Sequence, residues 1–189
     1  MGNKSITDYS SKDPDPNLMR VGVLLKAGNW KTQLTDHEYE LLIAGILNDR
    51  VQLHELVING YLLKKDSLYL VIETHCSDGT RSLNHAFSRM EERVRQYMQT
   101  RWLARNIPAP EILPDTTEDQ TPFFERHPLT DQHLIQLITG GKATLPYNDP
   151  HIAEIKESIR SARFCSALDY AGGQGPVLVK LIKHNKESL

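Results

Sequence analysis

The strongest constraint on the fold is a pair of short apolar runs separated by a brief polar link. The runs cover residues 56–63 and 68–72, and Lys64, Lys65 and Asp66 lie between them. Runs of this length, rich in Val, Ile, Leu and Tyr, are typical of strands, and so short a link requires a tight turn. The sequence therefore predicts a β-hairpin in the first half of the chain.

Strand and helix patterns on either side of the hairpin predict one domain. Residues 19–26 have a strand pattern, and Thr35 with Glu38 forms a capping box that opens a helix to about residue 53. A second helix is predicted over residues 82–105, and residues 123–127 supply a fourth strand. This order predicts an α+β fold, a ferredoxin-like βαββαβ antiparallel sheet with two helices on one face.

The chain divides into three predicted parts. Residues 1–17 are polar and predict a flexible N-terminal tail, while residues 18–129 form the predicted domain. Within that domain, residues 107–122 carry four prolines and four acids with no base, which predicts a loop. Residues 130–189 remain as a C-terminal extension.

The extension is predicted to be small and helical. Residues 130–139 form a short helix that ends at two glycines. Asp149 and Pro150 open another helix, since proline is favoured in the first helical turn. Residues 177–182 are predicted to form a final strand or helix.

Composition and charge exclude several classes of protein. A net charge of −2 argues against a strongly electrostatic nucleic-acid binder, so such binding would need a local patch. No apolar run approaches the roughly 18–20 residues that span a bilayer, and the N-terminus lacks the apolar core of a signal peptide. Cys76 and Cys165 have no metal-ligand spacing and indicate reduced thiols. We therefore expect a cytoplasmic protein without membrane association.

The hairpin resembles that of a known protein family. In the single-tyrosine HUH transposases, and most closely in their REP-associated branch, the hairpin has the pattern Tyr-x-Leu-Met-Pro-Asn-His-x-His-Leu-x-x-Glu. This chain matches the pattern without a gap at Tyr61, Leu63, Leu70 and Glu73. The resemblance covers about residues 19–129 and is specific in the hairpin alone.

The same resemblance places Ser67 and Tyr69 where the family has its two histidines. Those histidines hold a divalent ion that polarises the scissile phosphate. Two positions two apart on a strand share a face, but a hydroxyl and a phenol are poor ligands for such an ion at neutral pH. We therefore predict neither a metal site nor a cofactor; an ordinary alternating strand explains the same two residues.

The family's nucleophile is a tyrosine on a later helix, and Tyr97 is the position that matches best. Its implied role is attack on a DNA phosphate. The alternative is structural: Leu83, Phe87, Met90, Val94 and Tyr97 follow helical spacing, so Tyr97 would complete an apolar stripe. Without a metal, a lone phenol is expected to do little.

The second helix also predicts a basic surface. Arg89 and Arg93 lie four residues apart on one face, Arg95 lies nearby, and Lys64 with Lys65 would extend the surface from the hairpin turn. Arginine suits phosphate oxygens because it donates paired N–H bonds. The alternative is a solvated face whose charge balances the acids of residues 107–122.

Three hypotheses follow. The first is a catalytically inactive transposase-derived domain that binds structured or single-stranded DNA or RNA, as a homodimer like the family. The second is a protein-interaction or structural module on the same fold without nucleic-acid binding. The third, and least favoured, is an active strand transferase that uses Tyr97.

Overall fold

The structure, a computed structural model, describes residues 17–75, 79–104, 123–142 and 149–183. Within these ranges the chain is an α+β protein with a four-stranded antiparallel sheet and five α-helices. The strands are β1 (Leu18–Ala27), β2 (Val57–Lys64), β3 (Ser67–His75) and β4 (Phe124–Pro128). The helices are α1 (Asp36–Gln52), α2 (Gly79–Ala104), α3 (Gln132–Ile138), α4 (Pro150–Ser161) and α5 (Ala167–Tyr170).

The element order agrees with the sequence prediction, with shifts at the boundaries. Helix α2 starts at Gly79 rather than at residue 82, and α5 was not predicted. The predicted tail, apart from Asn17, and the predicted loop at residues 107–122 lie outside the described residues, as does Cys76. Among the residues that the structure describes, no helix combines the length and apolar character needed to cross a membrane.

The predicted hairpin is confirmed as β2 and β3. Lys64 pairs with Ser67, so Lys65 and Asp66 alone form the turn. Lys65 takes a left-handed conformation with φ of 52°, as two-residue turns that match the strand twist require. The complete sheet has the order β2-β3-β1-β4, and each neighbouring pair is antiparallel.

One face of the sheet, the α1–α2 face, carries the larger core. Alternation along β3 directs Leu68, Leu70 and Ile72 to this face, and all three are buried. Helix α1 begins at the predicted capping box, with Thr35 and Glu38 bonded reciprocally. Its buried side chains and those of α2 join the same cluster: Tyr39, Ile43, Ile46, Leu47, Leu83, Ala86, Phe87, Met90, Val94, Met98 and Trp102.

The opposite face, called here the second face, carries Leu62, Tyr69 and Val71 and packs against α3, α4 and the chain after α4. Two glycines permit this close approach. A Cβ on Gly60 would lie 2.8 Å from the carbonyl oxygen of Ile138, and one on Gly22 would lie 2.9 Å from that of Leu129. The second layer therefore depends on missing side chains in β1 and β2.

Residues 163–183, called here the C-terminal segment, follow the outer edge of β2. The Leu63 N–H donates to the Phe164 carbonyl at 2.9 Å, and the Lys180 N–H donates to the Ile58 carbonyl at 2.8 Å. The prediction of a strand or helix at residues 177–182 is wrong, because this stretch has no regular structure. The backbone of the C-terminal segment forms isolated hydrogen bonds with β2 instead of a continuous ladder.

Candidate functional site

Ser67 and Tyr69, the positions that correspond to the family's histidines, lie on the second face. Ser67 is buried, and its hydroxyl donates to a carboxylate oxygen of Asp66 at 2.9 Å. Tyr69 is half-buried and packs in the cluster of Leu62 and Val71. Within the described ranges, no group of three or more His, Cys, Asp or Glu side chains is arranged to hold a metal ion.

Tyr97 lies on the other side of the sheet. Helix α2 packs on the α1–α2 face through Val94, Met98 and Trp102, so Met98 and Trp102 continue the buried stripe that the sequence assigned to Tyr97. Tyr97 itself is 36% exposed. The structure therefore does not bring Tyr97 together with Ser67 and Tyr69.

The family-matching residues Tyr61 and Glu73 have structural contacts. Tyr61 is fully buried in the core of the α1–α2 face, and burial raises the pKa of its phenol. The Glu73 side chain is 6% exposed and forms an ion pair with Lys180 of the C-terminal segment. Tyr61 therefore contributes to the core, and Glu73 holds the C-terminal segment against the sheet.

The three arginines of α2 that were predicted to bind nucleic acid have partners within the protein. Arg89 pairs with Glu92 at 3.0 Å, and Arg93 pairs with Asp49 of α1 at 3.3 Å. Arg95 stacks over a ring, with its guanidinium carbon 4.9 Å from the centroid of Phe123. The helix is basic by itself, but the folded surface places carboxylates beside its cations.

A second ion pair between α1 and α2 involves Arg101. Its guanidinium donates to the Glu38 carboxylate at 2.7 Å. The hydrogen bond from Arg101, followed by that from the Thr35 N–H, lowers the pKa of Glu38 to about 2. Glu38 therefore joins the start of α1 to the last turns of α2.

Lys64 does not extend the arginine surface. The ammonium of Lys64 donates to the hydroxyl of Ser158 in α4 at 2.8 Å, which places it on the second face. Lys65 is exposed in the hairpin turn. The five residues proposed to contact nucleic acid are thus divided between the two faces of the molecule.

The second face also contains a groove that the sequence analysis did not identify. It has a volume of about 340 Å³ and lies between the sheet and helices α3 and α4. Its polar lining residues are Lys64, Tyr69, Thr130, Asp131, His151, Glu154 and Ser158. The sequence signal that could have revealed it is the spacing of the last three residues, which places them on one side of a helix.

Asp131 is fixed at one end of this groove by three contacts. One carboxylate oxygen caps α3 by accepting from the N–H groups of His133 at 3.0 Å and Leu134 at 3.1 Å. The other lies 3.1 Å from Nε2 of His151. Burial alone would raise the pKa of Asp131, but the bonds from Leu134, His151 and His133 outweigh it and lower that pKa.

No protein-family model, curated protein or solved structure matches the chain.

Proposed function

We propose that this chain is a catalytically inactive relative of the single-tyrosine HUH transposases and acts as a protein-interaction or structural module. A ferredoxin-like topology is part of the proposal. In the order β2-β3-β1-β4, β3 separates the two strands of the β1-α1-β2 unit, and β1 separates those of the β3-α2-β4 unit. Two interleaved split βαβ units are the arrangement of that fold.

The separation of Tyr97 from Ser67 and Tyr69 carries the proposal. A tyrosine nucleophile and the groups that polarise its phosphate target must meet within hydrogen-bond reach. Here the sheet lies between them, because α2 and the side chains of Ser67 and Tyr69 are on opposite faces. A single copy of the chain therefore lacks the geometry for strand transfer.

The proposal is tested by incubating the protein with single-stranded or hairpin DNA in Mg²⁺ or Mn²⁺ and looking for a covalent adduct on a denaturing gel. We expect none, and we expect Tyr97→Phe to behave like the unsubstituted protein. An adduct that forms with the unsubstituted protein and disappears in Tyr97→Phe would establish the strand-transferase hypothesis instead.

Nucleic-acid binding is a second candidate function, favoured by one observation. Arg89, Arg93 and Tyr97 recur every four residues on α2, and all three are exposed. Such a stripe suits single strands, in which bases stack on an aromatic ring and phosphates bind cations. Its ion pairs are exposed, so phosphate could replace the carboxylates at little cost. The two arginines and their partner carboxylates nevertheless sum to nearly zero charge. A nearly neutral surface favours a protein partner.

Salt dependence separates the two functions. A domain that neutralises phosphates loses about 0.7–0.9 log units of affinity per log unit of salt for each contact. Hairpin and single-stranded oligonucleotides should be titrated at two salt concentrations with the unsubstituted protein and with the double variant Arg89→Glu, Arg93→Glu. Arg160→Glu is the matched control, because Arg160 has an equally local ion pair with Glu157 on α4. A steep slope lost only in the double variant would favour nucleic-acid binding over our first proposal.

A further inference from the structure

The groove on the second face separates positive and negative groups. At one end, Lys64 donates to Ser158 near the end of α4. At the other end, Asp131 contacts His151 in the first turn of α4, and Glu154 lies one turn further along. His151 and Ser158 are two helical turns apart, which corresponds to about 10 Å at 1.5 Å per residue. The groove is therefore polarised along its length.

The wall between these ends is apolar. Leu62 of β2, Leu134 of α3 and Ile155 of α4 line it, and the half-buried ring of Tyr69 lies against them. An apolar wall with a few converging polar groups is the usual form of a small-molecule site. The volume of about 340 Å³ falls at the lower end of the range for such sites.

We propose that this groove binds a short peptide with free termini, in extended form, with its carboxylate at Lys64 and Ser158 and its ammonium at Asp131 and Glu154. Each residue of an extended peptide spans about 3.3–3.6 Å, so roughly three residues match the 10 Å between the ends. The middle side chain packs on the apolar wall. This inference does not depend on the proposed function.

Charge complementarity favours a zwitterion over a simple ion. A free anion drawn to Lys64 would also approach the carboxylates of Asp131 and Glu154, and a free cation would approach Lys64. A ligand with opposite charges at its two ends satisfies both ends at once. The Asp131 carboxylate is fixed at its end of the groove by bonds from the His133 and Leu134 N–H groups, and a carboxylate in this position suits an ammonium group.

The test is a titration of the ¹⁵N-labelled full chain with the tripeptide Ala-Leu-Ala, followed by NMR. We expect saturable shift changes at the amides of Leu62, Tyr69 and Ile155. N-acetylated and C-amidated forms of the same peptide are titrated in parallel. Each is expected to bind at least about tenfold more weakly, because a hydrogen bond between charged groups is lost.

Variants assign the two ends. Lys64→Met should weaken binding of the free peptide about tenfold and leave the C-amidated peptide unchanged, since that peptide no longer has the charge that Lys64 contacts. Glu154→Gln should weaken binding of the free peptide about tenfold and leave binding of the N-acetylated peptide unchanged, since that peptide no longer has the ammonium charge. Lys65→Met and Glu157→Gln are the controls, because these charged residues are close in sequence but do not line the groove.

Two outcomes would overturn the inference. One is that the groove amides show no saturable shifts even at a peptide concentration about ten times that needed to detect a Kd of about 1 mM. The other is equal binding of free and capped peptides, which would indicate apolar contact without recognition of the termini. Folding of each variant is checked by its own NMR spectrum before titration.

Discussion

The two faces of the sheet are built in different ways. The α1–α2 face is covered by two long helices whose apolar residues recur at helical spacing and interlock with alternating strand residues. The second face is covered by the short helices α3 and α4 and by the residues that directly follow α4, and it depends on the glycines Gly22 and Gly60 for close contact. The first face is thus specified by local periodicity, whereas the second depends on contacts between residues distant in sequence.

The largest expected effect compares the two cores. Leu70→Ala should lower the free energy of unfolding by about 3–5 kcal/mol, because Leu70 is fully buried against α1 and α2. Leu134→Ala on the second face should cost about 2–3 kcal/mol, since Leu134 lies in a smaller cluster and lines the groove. Urea unfolding of both variants measures the difference. Equal losses would show that the two faces contribute alike.

The next largest effect on stability is expected from a glycine substitution on the second face, compared with one in α1. Gly60→Ala should cost about 1–3 kcal/mol, because its Cβ would lie 2.8 Å from the Ile138 carbonyl oxygen, a backbone atom that cannot move freely. Gly45→Ala is the matched control. No atom lies within 4 Å of a Cβ there, so we expect a gain of about 0.5–1 kcal/mol from helix propensity alone. Destabilisation by Gly45→Ala would contradict this account.

The ion pair between Glu73 and Lys180 tests the C-terminal segment. Lys180→Met should lower the free energy of unfolding by about 1–2 kcal/mol, because it leaves a buried carboxylate without its partner. The value is modest since Lys180 is 60% exposed. The variant should also be cut faster by chymotrypsin at Leu178 and Leu181, where the substitution leaves the recognised residues unchanged. Lys183→Met, with an exposed lysine in the same segment, should change neither property.

The smallest expected effect is the acid sensitivity that arises from Glu38. Its pKa is lowered from 4.5 to about 2 in the folded protein, so Glu38 stabilises the fold fully above about pH 4.5. That contribution is lost as the pH falls from 4.5 towards 2. Unfolding measured at pH 6 and pH 3 should show a smaller difference for Glu38→Gln than for the unsubstituted protein, while Glu157→Gln should retain the full difference.

Much of the sheet and of α1 could be predicted because the signals are local. The hairpin follows from two apolar runs and a short link, and the capping box of Thr35 and Glu38 fixes the start of α1. The ion pair of Arg93 could not be predicted in the same way. Arg93 meets Asp49, a residue of α1 that only the tertiary structure places beside it, so the charge along α2 overstates the charge of its surface.

The groove and the C-terminal segment were beyond local signals for another reason. Ser166 and Lys180 follow no periodic pattern, and each contacts residues that are distant in sequence. Ser166 bonds to Tyr61 and Ile138, and Lys180 bonds to Ile58 and Glu73. Asp131 and His151 come from two helices whose sequences say nothing about their separation. Such contacts depend on the completed sheet, so a window of neighbouring residues carries no information about them.

The closure of the β2 edge has a consequence for synthesis of the chain. The Ser166 hydroxyl accepts from the Tyr61 N–H across 105 positions, and Asn59 donates to the Lys180 carbonyl across 121. At ribosomal speeds of about 5–20 residues per second, this edge waits on the order of ten seconds for its cover. An uncovered strand edge is a template for aggregation. We therefore expect the cellular yield of folded protein to depend on chaperones that act during translation more than on the stability of the finished fold.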